Sequence, residues 1–281
     1  MIYVFCALLL LTSCNNKSKI NKQFHLDVIN SYTPVKNQGN SQTCWAYAML
    51  AAIETEHIMR GDSVNLSPAY VEEMLGKDRR APKNKRGMGA TLLNMLDEHG
   101  LVAYDAMRDV HTPAPKWVFM LGAQYTPREF AHSVCAPGEY ISLCTTSDAP
   151  YNQWTVLNLP DNWEHNKFYN ISPDSLLFHT ELAVRLHHGI CWEGDISEHG
   201  FDFKKGVADL SLINGNTSDD HCMSIVGIAK DHEGKPFFIM KNSWGTDNPF
   251  LGLMVMSFDY FKKKTIAIYM THDAYQGTKN I

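Results

Sequence analysis

The chain lacks the features that mark several large functional classes. No run of five or more basic residues occurs in its 281 positions, and no internal repeat or low-complexity segment is visible. Its densest basic stretch, Lys77 to Arg86, is interrupted by Asp78 and Pro82 and followed by Gly87. With a formal net charge of −5, that stretch reads as a solvated loop, and nucleic acid is not an expected partner. The apolar run Val4 to Leu11 falls well short of the roughly 20 residues that a membrane-spanning helix needs. What remains is an ordinary globular balance, 44% apolar and 20% charged, enough for one large domain or two lobes sharing a core.

The short apolar run suits the central region of a secretory signal, although Met1-Ile2-Tyr3 ahead of it carries no Lys or Arg side chain. It ends in Leu11-Thr12-Ser13-Cys14, which resembles the cleavage site of bacterial lipoproteins. That resemblance implies a lipid-modified Cys14 holding the protein at a bacterial membrane facing the periplasm or cell surface. The alternative is a plain signal that happens to contain Cys14. Residues 1–14 are thus expected as leader, 15–30 as tether and 31–281 as the functional domain. Of seven cysteines, Cys6 and Cys14 lie in the leader. Cys44, Cys135, Cys144, Cys191 and Cys222 remain, an odd number that leaves one thiol free in an exported protein. Cys135 and Cys144 are spaced so that pairing is allowed and not required.

Cys44 opens a helical pattern in which Trp45, Ala48, Met49, Ala52 and Ile53 share a face and Gly61 marks the stop. Ser67-Pro68 starts a second helix, running to about Leu75 before Gly76, and Leu92, Leu93 and Leu96 mark a third that ends at Gly100. Residues 24–40 read as an irregular approach, 105–175 as loops and short strands, and 174–188 as helix. Short apolar or β-branched runs at 223–229, 237–240, 252–256 and 265–270 read as strands. Helices first and strands second predict an α+β chain of two lobes, helical mainly over 40–130 and β mainly over 131–281, with any shared site in the cleft.

A thiol becomes a strong nucleophile as thiolate, and both a helix N-terminus and a nearby imidazolium favour that anion. Cys44 has the helix start, and Gln38 lies six residues ahead with a side-chain amide suited to a developing oxyanion. The segment Pro34-Val35-Lys36-Asn37-Gln38-Gly39, continued by Thr43-Cys44-Trp45-Ala46-Tyr47-Ala48, resembles the active-site segment of papain-like cysteine peptidases. Asp220-His221 and Asn242-Ser243-Trp244-Gly245 resemble that family's histidine and asparagine segments, in the family's order. The resemblance implies a two-lobe papain-like fold, with Cys44 as nucleophile and His221 as acid/base. Asn242 would orient the imidazole, Gln38 and the Cys44 N–H would form the oxyanion hole, and Trp244 would shield the Asn–His contact.

Looser matches point to the bleomycin hydrolase and bacterial aminopeptidase C subgroup: Glu139 to Leu143, Asn152, Tyr169 to Ser172, Gly194 to Ile196, Gly206 to Leu210 and Met256 to Phe261. They imply a peptide or protein substrate, no cofactor and no metal, an aminopeptidase in preference to an endopeptidase, and room for an oligomer. Gly87, with Asp220 and Trp244, falls among the substrate-binding positions. Three departures stand out: Ser41 where many relatives carry a structural cysteine, Arg86 where the subgroup has a second glycine, and only ten residues, His272 to Ile281, for the arm that this subgroup lays in its cleft. An inactive, surface-anchored peptide-binding protein is the reading from another class, and transfer of non-peptide amides a third. His187, His188 and Cys191 invite a metal reading but offer too few ligands for a site, and Cys222 reads as a packed thiol.

Overall fold

A computed structural model describes residues 19–120, 122–210 and 217–279. The leader, Cys14 and the first part of the tether therefore lie outside the described residues. Helix α1 (Cys44–Met59) runs through the middle of the molecule. Its neighbours are α2 (Pro68–Lys77), α3 (Gly89–His99) and α4 (Pro127–Val134) on one side, with the β2 (Val118–Met120) and β3 (Ala123–Tyr125) hairpin beyond them. On the other side lie strands of one large sheet. The expected one-faced helix is thus buried nearly all round, because lobes cover both its faces: Trp45, Ala46, Met49, Leu50, Ala52 and Ile53 are all enclosed. Gly189 is what lets the sheet come so close, since a Cβ there would sit 2.1 Å from the Ala52 carbonyl oxygen.

The sheet contains β4 (Tyr140–Cys144), β5 (Gln153–Val156), β6 (Lys167–Asn170), β7 (Ile190–Gly194), β8 (Phe201–Asp202) and β9 (Val207–Ala208). The long strands β10 (His221–Lys230), β11 (Pro236–Lys241), β12 (Leu253–Ser257) and β13 (Thr265–Thr271) complete its centre, in the order β5-β6-β4-β13-β7-β10-β11-β12-β9-β8. Its pairs are antiparallel except β4–β6 and β9–β12. All four strands expected in the last third are present, and the fold is papain-like, a mixed α+β architecture. Strand pleating sets two layers: Cys191 and Cys222 join the core against α1, while Ile190, Trp192, Met223 and Ile225 face the opposite layer. That second layer is closed by α5 (Pro173–Arg185), α6 (Phe258–Lys264) and α7 (His272–Lys279).

Two expectations need correction, and two points the sequence leaves open are answered. Residues 25–29, assigned to the tether, form β1 (His25–Ile29), which pairs with β10, and Ile20 and Phe24 are buried beside it. The approach to Cys44 is therefore anchored from its start. Helix α4 lies where loops were expected; Thr126 and Glu129 form a reciprocal capping box around Pro127. Residues 272–279 are not an arm in the cleft but helix α7, packed on α5 through Ala274 and Tyr275. Cys135 and Cys144 are both free and buried, and burial pushes both thiols up to about 12. Among the described residues no helix is long and apolar enough to cross a membrane.

Candidate active site

The two lobes are fastened to each other on both sides of α1. On one side, the chain before Cys44 lies against the chain after β11. The Gln38 N–H donates to the Ser243 carbonyl at 2.8 Å, the Gly245 N–H to the Lys36 carbonyl at 3.2 Å, and Asn37 bridges Trp244. Beneath this bridge sits a buried charge cluster. Glu54 of α1, wholly enclosed, takes Lys36 Nζ at 2.6 Å and lies 3.7 Å from Lys241 Nζ, the residue before Asn242. Burial works against the Glu54 carboxylate, but the two lysines outweigh it and hold its pKa below the usual value. Lys241 itself is pushed down to about 7 by burial. Glu56, two residues along and so on the opposite side of the helix, binds Arg60, the Gly189 N–H and His188, which accounts for His188 without a metal; His187 meets Asn30.

Cys44 is the first residue of α1. The preceding Thr43 does not cap the helix, because its hydroxyl donates to Glu72 at 2.9 Å, so the positive end of the helix faces the cleft. His221, the first residue of β10, is 3% exposed and lines the same pocket as Cys44, whose pKa it helps to lower. Its Nε2 donates to Asn242 Oδ1 at 2.8 Å. That assigns the neutral ring's proton to Nε2 and turns Nδ1 to the sulfur. Asn242 is fixed in turn, its Oδ1 also accepting the Ser243 N–H and its amide resting on Met254. The Trp244 ring lies 4.6 Å from the His221 ring, between Phe201 and Phe203, so water is kept from that contact.

Cys222 has a larger part than packing. It lines the same pocket as Cys44, and its thiol and backbone N–H both favour the Cys44 thiolate. The Cys44 pKa is held well below the usual thiol range, first by the Cys222 thiol against the opposing effect of burial, then by His221. Burial keeps Cys222 itself a neutral donor. Gln38 sits where the sequence predicts, but its amide is locally engaged: Nε2 donates to the Ser41 carbonyl at 2.7 Å and Oε1 accepts from Ser243 at 2.5 Å. One amide hydrogen is left for a substrate oxygen.

A narrow pocket of about 10 Å³, room for a single water, adjoins Cys44, lined by Trp45, Arg86, Gly87, Asp161 and Glu193 and by Asp219 to Cys222. Gly87 and Asp220 are thus brought to Cys44, as expected. At Gly87 a Cβ would meet Trp45 and Thr91 at 3.2 Å. Arg86, in place of glycine, reaches across the pocket: its guanidinium grips Asp161 through two nitrogens and donates to the Asp219 carbonyl. Sequence reasoning missed Asp161, Glu193, Asp219 and the role of Cys222. The alternation of β7 and β10 carried a signal for Glu193, a lone acid in an otherwise apolar strand.

Comparison with known proteins follows the same lines. Residues 143–273 match the family model described as papain family cysteine protease. That span contains His221, Asn242 and Trp244; Gln38 and Cys44 lie before it, and the fold joins them. The senescence-specific cysteine protease of Arabidopsis thaliana is 24% identical over 215 residues, covering 76% of this chain and 50% of that protein. Papain of Carica papaya is 23% identical over 219 residues, covering 76% and 48%. The chain spans about half the length of the curated relatives it matches. Among solved structures, PepW from Lactobacillus rhamnosis superposes with a TM-score of 0.70 at 15% identity, covering 95% of this chain and 87% of that one. The bromelain protease of Ananas comosus, in complex with the E64 inhibitor, gives 0.50 at 21% identity, covering 85% and 94%.

Proposed function

We propose that the chain is a papain-family cysteine peptidase that hydrolyses peptide bonds through a thioester on Cys44, a reading supported by its papain-like fold and by the family match over residues 143–273. The observation that carries this reading is the placing of Cys44 beside His221 in one pocket, with His221 hydrogen-bonded to Asn242 and roofed by Trp244, from both lobes. The Cys44 thiolate attacks the scissile carbonyl carbon, and the oxyanion is met by the Cys44 N–H and the remaining Gln38 amide hydrogen. As the tetrahedral intermediate collapses, the C–N bond breaks and His221 Nδ1 gives its proton to the leaving amine. Water then attacks the thioester, passing a proton to Nδ1, and the acid leaves as the thiolate reforms. Asn242 keeps the ring in register throughout, and the Gly87 edge lies open to an extended substrate backbone.

Aminopeptidase action is the finer part of the proposal, motivated by the resemblance to the bleomycin hydrolase subgroup. Helix α7 is held on the far layer, so a requirement for a free amine would have to come from the cleft walls. Lipid attachment at Cys14 completes the proposal and places the peptidase at a bacterial membrane surface. Protein lacking residues 1–14 is expected to hydrolyse peptidyl or aminoacyl amide reporters and to be alkylated at Cys44 by iodoacetamide. Full hydrolysis by Cys44→Ala would end the idea. A preference for free over N-blocked reporters supports the aminopeptidase, and the reverse an endopeptidase. Loss of labelled palmitate incorporation in Cys14→Ala would bear out the anchor; unchanged incorporation would not.

A further inference from the structure

The pocket beside Cys44 holds two acids that the hydrolytic steps do not use. Glu193, on β7, is directly opposite Cys222 on β10, so its side chain projects from the same face of the sheet, toward the nucleophile. It is fully buried, and Oε2 is anchored by the Gly89 N–H and the Tyr269 hydroxyl. Its other oxygen, Oε1, is enclosed without a hydrogen-bond donor, and so is Oδ2 of Asp219, two residues before His221. These two carboxyls face one another closely enough to share a proton. The neighbouring cation, Arg86, offsets part of the rise at Asp219 but makes no hydrogen bond to either carboxyl of the pair, because its guanidinium is held by Asp161 and the Asp219 backbone carbonyl. Burial, then the charge of Asp161, pushes Asp219 up to about 7, and burial, then Asp219, raises Glu193 well above the carboxylate range. The remaining groups around them are Asp220, His221, Cys44 and Tyr269, none of them a lysine or arginine.

We propose that Glu193 and Asp219 form a cation subsite that selects substrates presenting an ammonium or guanidinium group beside the scissile bond. This rests on the peptidase reading of the same cleft. A buried carboxyl pair cannot ionise fully, since each charge opposes the other in a place poor in water. A substrate cation entering the pocket supplies the missing charge and donates to the idle Oε1 and Oδ2, and the shared proton leaves to solvent. A neutral group of the same shape offers no such charge, and the pair then simply keeps its shared proton. Two sources present this chemistry: the free α-amino group of an N-terminal residue, or a Lys or Arg side chain of an N-blocked peptide.

The test is the rate at which chloromethyl ketones alkylate Cys44, which needs no turnover. Four reagents suffice: a free-amine leucyl reagent, its N-acetyl form, and two N-acetyl dipeptidyl reagents with Lys or norleucine ahead of the reactive residue. Wild type is expected to react at least tenfold faster with one cationic member than with its neutral counterpart, and the favoured pair identifies the source. Glu193→Gln keeps acceptors for Gly89 and Tyr269, and Asp219→Asn changes a residue nearer the surface; each should bring the ratio close to one. Using a ratio removes any change these substitutions make to the thiolate itself. A wild-type ratio near one, or one unaltered in both variants, overturns the subsite while labelling by neutral reagents upholds the peptidase. Failure of every reagent to label Cys44 overturns both.

Discussion

Replacing Cys222 by alanine tests the electrostatics of the nucleophile most directly. The Cys222 thiol is the largest influence favouring the Cys44 thiolate, while its backbone N–H and His221 remain in place after the change. A hydrogen bond to a charged acceptor contributes about 1.5–3 kcal/mol, and a thiol, as a weak donor, belongs at or below the lower end. Taking about 1.4 kcal/mol, the thiolate population on the acid limb falls roughly tenfold. A more basic thiolate is also intrinsically more nucleophilic, which returns about a factor of three. The net expectation is iodoacetamide labelling of Cys44 slowed about threefold to tenfold on the acid limb, with no loss once the sulfur is fully ionised. The sign follows from the lowered pKa: the thiolate is lost as pH falls, and removing the donor moves that loss to higher pH. Mass spectrometry isolates the signal, because Cys135, Cys144, Cys191 and Cys222 are buried. Cys222→Ser retains a donor and should resemble wild type. An acid limb unmoved by Cys222→Ala, or a loss equal at every pH, refutes the assignment.

Further outcomes follow from the same geometry. Asn242→Ala removes the 2.8 Å bond that orients His221, and should lower kcat by roughly 10- to 100-fold with KM little changed, read from steady-state hydrolysis of an amide reporter. Glu54→Gln leaves Lys36 and Lys241 facing each other; it should cost about 3 kcal/mol in urea unfolding, at the low end for a broken buried pair because Lys241 sheds its proton readily. Thr126→Ala removes one half of a capping box far from the cleft and should cost about 1 kcal/mol while sparing Cys44 labelling. Glu54, Glu56 and Asp195 all have pKa values lowered by their partners against burial, so the stability they confer is complete above the unfolded carboxylate range. It should drain away as pH drops below about 4, followed by near-UV circular dichroism.

The candidate catalytic residues were readable because chemistry fixes their types and the chain carries them in three separate, recognisable segments. Cys44 announces itself by a helix start, and Asn242 by the Trp244-Gly245 that follows it. The four strands of the last third were equally plain, since each is a compact apolar run. Helix α4 was missed despite a capping signature at Thr126 and Glu129, because Pro127 in an aromatic, proline-rich stretch drew the eye to loops. Strand β1 was missed because it is only half buried and its partner, β10, lies some 200 residues away. Glu193 stood out as a lone acid in an apolar strand, but its closeness to Asp219 was beyond reach for the same reason: it depends on β7 pairing with β10, a register that no local pattern contains. Cys222 next to His221 was visible, but only the entry of α1 into the sheet turns its thiol toward Cys44.

The seam that joins Lys36, Asn37 and Gln38 to the chain after β11 also bears on how activity and folding are related. Sulfur, imidazole and carboxamide are drawn from distant parts of the chain and are aligned before any ligand arrives, so no hinge closure is left for the ligand to drive. Loss of alkylation at Cys44 and loss of tertiary structure should then trace one and the same denaturation curve.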